Sequence, residues 1–189
     1  MKKSWFAVLA VSFASHICMG AIVQGVKLPD EALVGSKTLK LNGTGVRQAT
    51  ILHINVYAAG LYLEKPSTDA SEILSSVAVK QLEMVFLRDV GHEKLEDAWK
   101  DSFEFNCKSD CEKFQPLLKR LSMTMGDVKK SESFSFLFYS DRVELKTSRG
   151  KSETFANAPF TKLLLMTWLG AKPPTEDLKA GLLGKKHFD

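Results

Sequence analysis

Two stretches of the sequence repeat their apolar residues at a spacing of two. Leu82, Met84 and Phe86 alternate with Gln81 and Glu83, and Phe134, Phe136 and Phe138 follow the same period. Side chains two apart lie on one face of a strand, so each stretch predicts a strand with one buried face. A sheet buried on one side needs a cover. The apolar periods between and after these stretches change from two to three and four, which predicts helices as that cover. From Glu93 to Asn106 the stripe is Leu95, Trp99, Phe103 and Asn106. Phe114, Leu117, Leu118 and Leu121 make a second stripe, and Phe160, Leu163, Leu164, Thr167 and Trp168 a third. The expected fold class is α+β, a large antiparallel sheet with helices packed on one side.

The remaining segments fit this plan. Leu33 to Leu41 reads as a strand and Asn42-Gly43-Thr44-Gly45 as the turn after it. Val46 to Leu63 is β-prone but too long for one strand, so a bulge or corner is expected between Thr50 and Asn55. A short helix is predicted from Ser67 to Val77. Val143 with Leu145 marks a strand beyond the Ser140-Asp141 turn, and Ser152 to Phe155 another. Asn157-Ala158-Pro159 announces the last long helix, Gly170 and Pro173-Pro174 stop it, and Thr175 caps a final short helix to Leu183.

The chain opens with Lys2 and Lys3 ahead of an apolar run from Trp5 to about Ala14, with small residues at Gly20-Ala21. This is read as a signal peptide over residues 1–21, with one domain over 22–189 that works in the periplasm or outside the cell. No other stretch approaches membrane length, so no integral membrane segment is expected after cleavage. Cleavage removes Cys18 and leaves Cys107 and Cys111, which an oxidising compartment invites to pair. Their spacing of four requires a break in the helix at Lys108-Ser109-Asp110, and the alternative is a free, partly buried thiol pair.

Other chemistry is poorly supported. The formal net charge is +4, and two of the basic residues belong to the expected signal, which is too little for nucleic-acid binding. Gly43-Thr44-Gly45 lacks a third glycine and precedes a strand, so it is no dinucleotide loop. His53, His92 and His187 lack metal-ligand spacing, and no metal or cofactor is expected. The candidates that remain are polar residues on apolar faces: Arg47, Tyr57, Asn106 and Thr167. Arg47 and Tyr57 share strand parity, yet an unbroken strand would separate them by roughly 33 Å at ~3.3 Å per residue, so only a bend brings them together.

At this point the residues resemble the chalcone isomerase-like family, particularly its secreted bacterial members. The segments that carry the resemblance are Gly25–Pro29, Leu41–Arg47, Val56–Glu64, Phe86–Val90 and Trp168–Gly170 through Leu178–Gly184. The resemblance implies an open-faced β-sandwich enclosing a ligand cleft. By position, Arg47 is similar to the family's ligand-clamping arginine, Asn106 to its helix asparagine, and Thr167 to the hydroxyl facing them. True plant isomerases carry threonine where this chain has Tyr57 and tyrosine where it has Trp99.

An arginine with a tyrosine is instead similar to the family's fatty-acid-binding branch, in which the two grip a carboxylate. The resemblance therefore implies a non-catalytic binder of a fatty acid or similar apolar carboxylate. Arg47 and Tyr57 would sit at the head group, and Trp99, Phe103, Leu164 and Trp168 along the alkyl chain. The alternative it implies is a chalcone-flavanone-type isomerase, an intramolecular lyase, on an unknown enone.

Overall fold

A computed structural model describes residues 20–187. The expected signal segment, apart from its last two residues, lies outside the described residues, and so does Cys18. Seven strands form one curled antiparallel sheet: β3 (Glu31–Val34), β4 (Lys37–Ala49), β5 (Ile54–Leu63), β6 (Lys80–Phe86), β7 (Ser133–Phe138), β8 (Val143–Thr147) and β9 (Ser152–Phe155). They lie side by side in chain order, so each strand pairs with its sequence neighbours. A separate two-stranded hairpin, β1 (Ala21–Val23) and β2 (Val26–Leu28), lies against the other face, where Val23 and Leu28 pack with Val46 and Ala58.

Five α-helices and one short 3-10 helix (Cys111–Phe114) complete the described chain; the α-helices are α1 (Ala70–Ser75), α2 (His92–Asn106), α3 (Gln115–Met125), α4 (Ala158–Leu169) and α5 (Glu176–Leu182). Leu82, Met84 and Phe86 face them together with Phe134, Phe136 and Phe138, and all six are buried. The buried residues of α2 are Leu95, Trp99, Phe103 and Asn106, the face the period of the sequence predicts. Local chemistry sets the helix starts: the Asn157 side chain accepts from the Phe160 amide, and Thr175 accepts from the amide of Leu178.

Two expectations about the first half are corrected. Asn42-Gly43-Thr44-Gly45 is not a turn: β4 runs through it, with a bulge at Asn42 where the register slips between Leu41 and Gly43. The glycines serve close packing, because Gly43 and Gly45 lie directly beneath α5. The long run from Val46 to Leu63 is divided within the expected Thr50–Asn55 segment, but by a full reversal and not by a bulge or corner. The chain reverses at Thr50–His53, and Val46, Arg47, Gln48 and Ala49 pair with Ala58, Tyr57, Asn55 and Ile54. Thr50 and His53 supply the positive φ values, 63° and 50°, that a tight reversal demands.

Cys107 follows α2 directly, and the break at Lys108–Asp110, with Asp110 left-handed at φ 52°, brings it within 5.9 Å Cα–Cα of Cys111, to which it is disulfide-bonded. Closing so short a loop is worth about 2 kcal/mol by chain entropy. The Cys107→Ser/Cys111→Ser double variant is expected to melt about 5 °C lower by calorimetry, with the fold retained.

On the opposite face of β6, Glu83 lies among Ser133, Ser135 and Gln81. Burial raises its pKa, against the pull of hydrogen bonds from those three side chains. A carboxyl whose folded pKa exceeds its unfolded one binds its proton more tightly in the native state. Stability therefore falls as pH rises from the ordinary glutamate value through the raised one. Glu83→Gln is expected to flatten that slope and to raise the melting temperature at neutral pH. An unchanged pH profile would show that Glu83 carries no such penalty.

Candidate functional site

Between the sheet and α2 lies a cavity of about 880 Å³. Its sheet side is built from β4, β5 and β6, with Ile54, Val56, Tyr57, Met84 and Phe86 in the wall. The helical side comes from α2, where Leu95, Ala98, Trp99 and Ser102 recur at spacings of three, one and three on one face. Thr167 and Trp168 of α4 and Pro174 also belong to the wall, which is mainly apolar.

Arg47 and Tyr57 stand directly opposite each other on β4 and β5, so their side chains share a face, and both enter the cavity wall. A second register slip follows at once, between Arg47 and Gln48. The Tyr57 hydroxyl oxygen accepts a hydrogen bond of 3.1 Å from Trp168 Nε1. Its own proton is thus available for donation elsewhere. Burial pushes the Tyr57 pKa up, opposed by the positive charge of Arg47 and the Trp168 bond, so the phenol is neutral at physiological pH. Arg47 Nε and Trp99 Nε1 are buried without a hydrogen-bond partner among the described residues. Trp99 stands edge-to-face with Trp168, ring centroids 5.5 Å apart, and Trp168 also packs on Phe136 and Phe138. The pair Arg47–Tyr57 therefore offers fixed donors, and the rings of α2 and α4 make the adjoining wall apolar.

Of the residues singled out in the sequence, Arg47, Tyr57, Trp99, Thr167 and Trp168 line the cavity. Thr167 Oγ1 donates to the carbonyl of Leu164 at 2.7 Å, one residue nearer than the back-bond typical of helical threonine, and keeps its lone pairs. Phe103 and Asn106 lie elsewhere. Phe103 packs against Phe114 and Phe160, with ring centroids 6.5 and 5.2 Å away. Asn106 ends α2, where its Nδ2 donates to the carbonyls of Ser102 and Lys172. Leu164 is buried in the core but outside the wall. The sequence reading passed over Val56, Met84, Phe86, Leu95 and Ser102 as site residues. Met84 and Phe86 share parity with Tyr57 in the paired strand, and Leu95 and Ser102 lie at helical spacing from Trp99; Val56, of opposite parity to Tyr57, reaches the wall at the register slip, which no period signals.

Among the described residues, no group of three or more His, Cys, Asp or Glu side chains could hold a metal ion, and no helix is long and apolar enough to cross a membrane.

No curated protein sequence matches the chain. Among solved structures, the chain is similar in fold to a fatty-acid binding protein of Arabidopsis thaliana. The TM-score is 0.64 at 13% sequence identity, covering 84% of this chain and 92% of that one. The family model described as chalcone isomerase-like matches residues 20–184, which is nearly all of the described structure, and the chain therefore belongs to the chalcone isomerase-like family.

Proposed function

We propose that this protein is a non-catalytic binder of a fatty acid or similar apolar carboxylate, acting in the periplasm or outside the cell. The observation that carries the reading is the Arg47–Tyr57 cross-strand pair in the wall of a largely apolar cavity. A guanidinium presents parallel N–H donors that match a carboxylate, and the neutral phenol adds an O–H donor. About 880 Å³ is within the usual range for small-molecule sites, and burial of an alkyl tail at ~25 cal/mol per Å² would supply most of the affinity. The structural neighbour is itself a fatty-acid binding protein, which agrees with this reading at the level of the fold. The Cys107–Cys111 disulfide and the signal-like first segment support an oxidising compartment.

The direct experiment is mass spectrometry of lipid extracted from protein purified without added ligand, paired with melting curves in palmitate. An organic acid recovered in stoichiometric amount, and a melting temperature that climbs with palmitate concentration, are the expected results. Protein that carries no acid and gains no stability from any chain length would end the proposal.

A further inference from the structure

The reversal between β4 and β5 carries the two most anomalous apolar side chains at the cavity. Ile51 is 93% and Leu52 75% exposed, adjacent in sequence at the apex of the hairpin. The residues that flank them, Ala49, Thr50 and Ile54, are part of the cavity wall, so the apolar apex continues directly into the cavity. Single exposed aliphatics need no explanation, but two adjacent ones at the mouth of a cavity do.

The apex is held firmly in place. Gln48 Nε2 donates to Asn55 Oδ1 at 2.9 Å, and Asn55 Nδ2 donates to Gln24 Oε1 at 2.8 Å, a ladder of amides across the base of the hairpin. The Leu52 amide donates to Thr50 Oγ1, and the His53 ring nitrogen Nδ1 meets Gln48 Oε1 at 3.2 Å. The positive φ at β-branched Thr50 is an unfavourable conformation held among these hydrogen bonds, and Ile51 and Leu52 project outward from it.

Charge around the mouth has a sign. Arg88 and Lys94 are exposed, line the cavity and make no ion pair among the described residues. Of the acids in the same wall, Asp89 is paired with Lys129, whereas Glu93 and Asp127 make no ion pair among the described residues, Asp127 keeping its charge while it accepts from the His92 amide. Including Arg47, three cations stand against the two uncompensated carboxylates Glu93 and Asp127, and this surplus of one positive charge complements lipid phosphates.

We infer that the hairpin apex Ile51-Leu52, with Arg88 and Lys94 beside it, docks the cavity mouth on the surface of an anionic phospholipid bilayer. Aliphatics that enter the headgroup region are removed from water while the cations stay with the phosphates. An apolar carboxylate could then pass between bilayer and cavity without crossing water. The transfer step rests on the binding function proposed above, whereas the docking itself does not.

The test is co-sedimentation with vesicles of equimolar phosphatidylcholine and phosphatidylglycerol. Ile51→Ser/Leu52→Ser is expected to lower partitioning at least tenfold while leaving the melting temperature and the affinity for dissolved palmitate unchanged. Omitting phosphatidylglycerol, or introducing Arg88→Gln/Lys94→Gln, is expected to lower it several-fold. Transfer of a fluorescent fatty acid from vesicles to protein should slow with the apex variant. Three results would overturn the inference: wild-type protein that ignores both kinds of vesicle, an apex variant that partitions like wild type, or a wild-type dimer in sedimentation velocity that the apex variant dissolves. If palmitate proves not to bind, vesicle partitioning still reads the apex, so the two proposals fail separately.

Discussion

Gly43→Ala is expected to lower the melting temperature by about 10 °C, a loss of about 3 kcal/mol or more. A Cβ at this position would run into the carbonyl oxygen of Gly181, and would lie 2.6 Å from the nitrogen of Gly184 and 2.8 Å from the oxygen of Leu182. All three are backbone atoms at the end of α5, so no rotamer change relieves the clash. The seam is also fastened by Asn42, whose Nδ2 donates to the Leu182 carbonyl at 2.8 Å and whose Oδ1 accepts from the Ser67 amide at 2.7 Å. β4 cannot drift away from α5 without breaking those bonds. Gly35→Ala is the control: its φ of +60° strains an L-residue by ~1–2 kcal/mol, but nothing stands within 4 Å of the added methyl. A calorimetric loss at Gly43 no greater than at Gly35 would mean that the seam yields.

That same seam explains where the sequence was readable and where it was not. Helices α2 and α4 and strands β6 to β9 were legible because their apolar periods are undisturbed, and caps such as Asn157 and Thr175 are local chemistry. Gly43 and Gly45 misled because a glycine pair can mark either a turn or a close approach, and only the tertiary contact with Leu178 and Gly181 decides which. The true reversal carries Thr50, Ile51, Leu52 and His53, none of them a favoured turn residue, so strand length placed a break in this segment but composition did not mark it as a full reversal. An exposed apolar apex is invisible to a reading that places apolar residues inside. The reversal also corrects the geometry of the site: Arg47 and Tyr57 are partners across a hairpin, which the expected bend conveyed only as nearness.

Asn106 shows a different limit. The stripe on α2 places it correctly on the buried face, and its amide was noted as an interruption. What periodicity cannot tell is which neighbour the amide meets. Here it is backbone: Nδ2 reaches the carbonyl of Lys172, and a methyl on Gly170 would collide with Oδ1 and with the carbonyl of Met166. Lys179 Nζ donates to the Gly170 carbonyl at 2.7 Å, fixing the same corner from α5. The amide thus ties the end of α2 to the segment that positions Trp168, and through Trp168 it bears on the Tyr57 hydroxyl.

Arg47→Ala is expected to weaken palmitate binding by about a hundredfold or more, because charge-assisted bonds are worth about 1.5–3 kcal/mol each and two are lost with the guanidinium. Arg47→Lys keeps the charge but loses the fork, and should recover only part of the affinity. Tyr57→Phe removes a single donor and is expected to weaken binding about tenfold. It should also melt a few degrees lower than wild type, since Trp168 Nε1 then loses its acceptor in a buried place. The split between the two readouts is the informative part. Arg47 is half-exposed and forms no hydrogen bond through its buried Nε, so Arg47→Ala should leave the melting temperature of the ligand-free protein near that of wild type while abolishing the gain on adding palmitate. Isothermal titration of all three variants measures the affinities directly. Equal affinities for wild type and Arg47→Ala would show that the acid headgroup, if one binds, is held away from the β4–β5 pair.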